Sequence, residues 1–302
     1  GTILKSYVDE DGVRHDGMIF NKVGKTEEKV NLGSIKHRME NCVIKNTTGA
    51  KGAVYETKPI VRLENAEISG TRFENNKAKT LIKVDDATGK IYDVEFANNN
   101  VAGSIAIDMK TPGTSEIDNL ILRNGNTFDK VINIENSGYD FVNISNTSIV
   151  GVNTGNIGTI IDAKNSRVTF ATVSIINNKT VNGAVVLNND VSGINNTELY
   201  LVGDVYVNRN TAGSVNRDVF VAAYNSYAVI GQPNALTADS EIGFSTNLDN
   251  VKVLKNWHNI LITYIRGNLW TKKVLRQLHY QSAACQWTLF RRLTQVTLVY
   301  HL

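Results

Sequence analysis

An apolar residue leading into asparagine recurs along this chain at intervals of 23 to 31 residues. The copies are Ile44-Lys45-Asn46, Phe73-Glu74-Asn75-Asn76, Phe96-Ala97-Asn98-Asn99, Leu122-Arg123-Asn124, Ile175-Ile176-Asn177-Asn178 and Tyr206-Val207-Asn208, with a degenerate one at Ile149-Val150-Gly151-Val152-Asn153. A fixed period of this length is the signature of a solenoid. One unit cannot bury its own apolar face, so neighbouring units must stack to make a core.

The unit is built of strands. Between the anchors lie Ile60-Val61-Arg62-Leu63, Leu81-Ile82-Lys83-Val84, Ser104-Ile105-Ala106-Ile107, Val131-Ile132-Asn133-Ile134, Thr159-Ile160-Ile161-Asp162 and Ala184-Val185-Val186-Leu187. These runs are short, rich in Val and Ile, and bounded by Asn, Gly, Asp and Ser, which leaves no room for a helix. With about three such runs per period, the expected fold is all-β: a right-handed parallel β-helix of about seven coils, each strand pairing with its copy about 4.8 Å away.

Asparagine suits the corners of such a coil. It tolerates the left-handed backbone a tight bend requires, and its amide can bond to an equivalent residue one coil on. About one residue in eight is Asn. Asn46, Asn75, Asn98, Asn124, Asn177 and Asn208 are therefore assigned as structural corner residues, with Phe73, Phe96, Leu122 and Ile176 as core positions. Asn46, Asn143, Asn146, Asn178 and Asn195 open Asn-x-Ser/Thr sequons, a chance outcome in so Asn- and Thr-rich a chain.

Phe73-Glu74-Asn75-Asn76 and Phe96-Ala97-Asn98-Asn99 match a Phe-x-x-Asn tetrapeptide, and Gly52-Ala53-Val54-Tyr55 and Gly183-Ala184-Val185-Val186 look like a Gly-Gly-Ala-Ile/Val tetrapeptide. Between about Met39 and Asn250 the chain thus resembles the polymorphic outer-membrane proteins and adhesin-like surface β-helix proteins of microbes. The resemblance implies an extracellular rod used for adhesion or exported as a passenger, with no catalytic residues to carry over. Host or cell-surface glycans or proteins are the implied partners. Membrane contact would come only through parts absent from this chain.

Charge divides the sequence. All 29 acidic residues lie at or before Asp249, while the 32 Lys and Arg split 24 to 8 about residue 250, so the body carries −5 and the tail +8. Trp257, Trp270 and Trp287 are all in the tail, where the Asn period stops. The expected organisation is an irregular lead-in or first coils over 1–38, the parallel β-helix over 39–250, and a basic, Trp-containing tail over 251–302. Three readings of the tail stay open: foreign or out-of-frame translation, a cap on the end of the rod, or a segment whose Lys272, Lys273, Arg276, Arg291 and Arg292 meet a membrane surface or an acidic partner.

Chemistry is sparse. Asp9, Glu10 and Asp11 lack the later ligands of a calcium loop. Asp85-Asp86, the adjacent acidic pair on the repeat, falls in a turn, Asp-Asp-Ala-Thr-Gly. His15 and His37, the histidines before the tail, have no ligand at a metal interval, and Cys42 and Cys285 define neither a disulfide framework nor a metal site. Phosphate loops, nucleophile elbows and dinucleotide fingerprints are missing, and a net acidic body repels nucleic acid. No cofactor is expected. No signal peptide or membrane span is visible, and a start at Gly1 reads as a fragment or processed piece. The sequence therefore points to a non-enzymatic extracellular stalk or adhesin module at the cell surface or secreted; the alternative is a carbohydrate-active β-helix enzyme, a lyase or glycosidase, which would need carboxylates converging on one face.

Overall fold

The computed structural model describes residues 6–8, 14–16, 37–46, 59–63, 65–100, 103–110, 113–135, 140–152, 157–189, 196–230, 236–237, 240–248, 251–256, 261–264, 286–292 and 295–301. Backbone pairing alone is described for the strands before residue 37 and after residue 250. The described residues form strands and no helix.

The chain winds into a parallel β-solenoid with three faces. On the first face Arg38, Glu67, Lys90, Glu116, Asn143, Thr169, Tyr200 and Val229 stand in register, one per coil. On the second, Val43–Lys45, Arg72–Glu74, Glu95–Ala97 and Ile121–Leu122 pair in the same way. The third carries Val61–Leu63, Thr80–Asp85, Ile105–Lys110, Phe128–Glu135, Ile157–Lys164, Gly183–Asn188 and Val219–Val221. Every apolar run expected as a strand between the anchors falls on this third face. From Ala66 to Val221 the chain makes about six turns, with further strands of the stack at either end.

Alternation fills the interior. Met39, Ile68, Ile91, Ile117, Ile144, Phe170 and Leu201 point inward from the first face, one per coil, and Ile82, Ile107, Ile132, Ile161, Val185, Val219 and Phe244 form the matching column of the third. Each such side chain contributes about 1.5–3 kcal/mol on burial. The second face supplies Ile44, Phe73, Phe96 and Leu122, and Phe96 sits between Phe73 (5.4 Å) and Phe128 (6.1 Å) in a ring stack. Ile176 departs from the expected core position. Its register partner is the exposed Val150, and the buried residue is Ile175.

Left-handed residues turn the coil at three corners, with Asn65, Asp86 and Asn165 (φ 50° to 51°) leading from the third face to the first. Asn41, Gly70, Asp93, Asn119, Asn146, Thr172 and Gly203 bend the chain from the first face to the second, and Asn46, Asn75, Asn98, Gly125, Gly151, Asn177 and Arg209 bend it towards the third, all with φ between 46° and 87°. Asn46, Asn75, Asn98 and Asn177 are thus corner residues with left-handed backbones. At Asn124 and Asn208 the expected assignment fails: the left-handed residues are Gly125 and Arg209. An extra residue in the 122–126 bend, and an extra residue opposite Thr172 in the next coil, displace the anchor by one.

On the strand side, Phe141–Val150, Arg167–Ile176 and Thr197–Asn208 run through the first corner unbroken and serve two faces each. At the carboxyl end, Val251–Asn256 pairs in parallel with Ser226–Ile230, so the stack reaches beyond the boundary expected at residue 250. After it the direction reverses. Leu261–Tyr264 lies antiparallel on Val251–Asn256, and Gln295–His301 lies antiparallel on both Glu241–Thr246 and Gln286–Arg292. At the other end, Ser6–Val8 and Arg14–Asp16 form an antiparallel pair. Asp9, Glu10, Asp11, Gly52–Tyr55 and the side chains of His15 and His37 lie outside the described residues.

Candidate functional surface

Asn76, Asn99 and Asn126 follow the second corner and turn inward, 1%, 1% and 2% exposed. Asn76 donates from its backbone N–H and from Nδ2 to Asn99 Oδ1, and Asn99 donates in the same two ways to Asn126 Oδ1. The remaining Nδ2 protons reach back to the carbonyls of Ile44 and Phe73. Val152 interrupts the series, and Asn178, Asn210 and Asp218 resume it, with Asp218 Oδ1 accepting both bonds from Asn210. Buried amides are tolerated here because their side-chain donors have partners, most in an adjoining coil and others nearby in the same turn, as from Asn126 to the Arg123 carbonyl and Asn210 to Asp218. The ladder residue is therefore the fourth of Phe-x-x-Asn, one beyond the assigned corner asparagine; doubling in Asn75-Asn76 and Asn98-Asn99 was the signal for two separate roles.

Outward side chains carry the charge, and most of it is paired between coils. Arg38 meets Glu67 at 3.0 Å and Lys90 meets Glu116 at 3.6 Å on the first face. Glu95 lies between Arg72 (3.6 Å) and Arg123 (3.2 Å) on the second. On the third face Lys83, Asp108, Asn133 and Asp162 form one outward column. There Lys130 Nζ bonds Asp162 (2.7 Å) and Asn133 Oδ1 (2.9 Å), while Asn133 Nδ2 donates to Asp108 (2.7 Å). Asp85 is ion-paired with Lys83 at 3.0 Å and Asp86 has φ 50°, so this acidic pair belongs to a turn. Exposed pairs of this sort contribute about 0–1 kcal/mol each and chiefly fix the register of the coils.

The three long strands differ. Their outward positions on the first face are Asn143, Thr169 and Tyr200, then Ser145, Ala171 and Val202; on the second they are Ser148, Ser174 and Tyr206, then Val150 and Ile176, whose register partner Asn208 is buried. None of these side chains is charged. At one edge Glu198, 9% exposed, accepts hydrogen bonds from the Tyr200 and Tyr227 hydroxyls, both 2.7 Å, and faces Arg167 Nε at 3.3 Å. Phe141 stands edge-on to Tyr200 at 5.2 Å, with the Arg167 guanidinium 5.7 Å above its ring. Desolvation, reinforced by the bond to Glu198, pushes both tyrosine hydroxyls up to about 12. Tyr92, beside Glu116, is raised for the same reasons.

Among the described residues, no group of three or more His, Cys, Asp or Glu side chains converges as a metal site. Cys42 Sγ donates to the Glu40 carbonyl at 3.3 Å, as Thr71 and Thr147 hydroxyls do to Ser69 and Ser145 in other coils. Comparison with protein-family models, curated proteins and solved structures finds no match to this chain.

Proposed function

We propose that this chain is a non-enzymatic display rod, a stalk or adhesin module of an extracellular or cell-surface microbial protein that holds a binding surface away from its anchor. The observation that carries the reading is the division of the outer surface. Charged side chains stand in cross-coil ion pairs that stiffen the rod, whereas the long strands present an uncharged face of hydroxyls, amides and rings. Rods of stacked coils use such extended lateral surfaces for recognition. The resemblance carried by Phe73–Asn76 and Phe96–Asn99 agrees with it. Glycans or proteins of a host or neighbouring cell are the proposed partners.

One observation favours a carbohydrate-active enzyme as the second reading. Asp108 and Asp162 stand two coils apart in one outward column, and Asp162 Oδ1 is buried with no hydrogen-bond partner. Their spacing, about 9.6 Å from two rungs, approaches that of an inverting carboxylate pair. Against it, Lys130 and Asn133 occupy the space between the two acids. The deciding assay incubates the purified chain with pectin, alginate and neutral polysaccharides, with and without calcium. No cleavage is expected. Turnover abolished by Asp108→Asn, Asp162→Asn or Asp85→Ala would replace the display role with an enzymatic one.

A further inference from the structure

The uncharged surface of the long strands has a chemistry of its own. The preceding coils carry ion pairs on their first and second faces, and the third face beside the long strands carries Lys130, Asp162, Glu135 and Lys164. Charge is thus withdrawn from two adjoining faces of these coils and kept on the third. At the margin of this surface stand Glu116 and Asp118 in the preceding coil, Arg167 and Glu198, which pair with each other, Asp204, which accepts a bond from the Thr237 hydroxyl, exposed Arg209, and Glu241 beside Tyr206.

A second observation falls at the centre of the same surface. Thr172, exposed, holds φ 60° at the corner joining the two faces, where the other coils use Asn, Asp or Gly. A β-branched residue in the left-handed region is strained, and strain of this kind collects at binding sites. Its hydroxyl lies beside Gly203 of the next coil.

We infer that this surface binds a neutral polysaccharide chain. The inference rests on the display role and names its ligand class. An ionic partner would find no counter-charge at the centre of this surface, where its charges are desolvated without compensation, which is a cost rather than an attraction. A protein partner would want a continuous apolar centre, but exposed Val150 and Val202 lie on different faces. Hydroxyls and amides repeated at about 4.8 Å along a rung column can donate to and accept from successive sugar hydroxyls. Tyr200 and Tyr206 add ring faces for the apolar side of a pyranose.

The test is retention of the whole chain on cellulose, starch and mannan, with heparin as the charged comparison. Retention on at least one neutral polymer, undiminished by added salt, is expected. Tyr200→Ala and Thr169→Arg should each weaken it by about tenfold or more, the loss of one stacked ring with its neighbours. Lys110→Ser, on the third face, should leave it unchanged, and thermal melting confirms that each variant is folded. Salt-sensitive retention on heparin alone, or binding to protein through another face, would overturn this inference while leaving the display role standing. A concentration-dependent dimer abolished by Thr169→Arg, without glycan retention, would make the surface a self-association face. Retention lost equally through Lys110→Ser would also overturn it.

Discussion

Asn99 Oδ1 accepts two hydrogen bonds from Asn76, one from the backbone N–H at 3.1 Å and one from Nδ2 at 3.0 Å. A single carbonyl oxygen uses both lone pairs on one residue of the preceding coil, inside an apolar core. The pair is therefore an obligatory link rather than an ornament of the corner. Leaving any of its members unpartnered exposes a desolvated dipole to hydrocarbon.

Asn99→Ala should destabilise the rod by about 3 kcal/mol, because the Asn76 donors, the Phe73 carbonyl and Asn126 Oδ1 all lose a bond. The midpoint of urea unfolding measures it. Asn98→Gly, at the exposed left-handed neighbour, should move that midpoint by a few tenths of a kcal/mol only.

Phe96→Ala should cost about 3–5 kcal/mol, the sum of lost burial and the cavity left between Phe73 and Phe128. Ile176→Ala should cost far less than Ile175→Ala, since Ile175 is the inward member of that strand. Equal losses would show that the register is misplaced.

Thr172→Asn should raise stability by about 1 kcal/mol by relieving a β-branched side chain at positive φ. If Thr172 belongs to the glycan surface, the same variant should weaken retention while melting higher. A lower melting temperature would mean that packing around Thr172 outweighs its backbone strain.

Alkali should weaken the fold through Tyr200 and Tyr227. Their hydroxyls ionise near 10 in the unfolded chain and near 12 in the folded one, so the folded state holds its protons longer. The associated stability is complete below about pH 10 and is lost as pH rises towards 12. Phenolate absorbance should show Tyr92, Tyr200 and Tyr227 titrating late, and Tyr200→Phe with Tyr227→Phe should flatten the decline.

Truncation after Asn256 should uncover the edges of Glu241–Thr246 and Val251–Asn256, which Gln295–His301 and Leu261–Tyr264 cover in antiparallel fashion. Open edges of parallel strands invite end-to-end growth. Light scattering should report larger particles for the truncated chain. A monodisperse product would show that the last strands do not act as a cap.

Fold class was legible because the third face speaks plainly: Leu81–Val84, Val131–Ile134 and Ala184–Leu187 are short runs dominated by Val, Ile and Leu that recur with the coil. The first face was harder, since its inward residues alternate with Glu67, Lys90 and Glu116 and resemble any half-exposed strand. Corner roles were legible to within one residue. Spacing cannot tell which of two adjoining asparagines bends the backbone and which turns its amide inward, and inserted residues near Asn124 and after Thr172 shift the frame. Nor does sequence show that Asn143, Thr169 and Tyr200 share a column, because they are neighbours only across coils.

The amide ladder also has a direction. In the links from Asn76 to Asn99, Asn99 to Asn126 and Asn178 to Asn210, the backbone N–H and one Nδ2 proton of the earlier coil reach an acceptor in the later one, so these groups have no such partner until the next coil has wrapped. At these coils a chain emerging from its amino end trails donors that only the next turn can satisfy. Asp218, an acceptor with no amide of its own to satisfy, is where that debt stops being passed on.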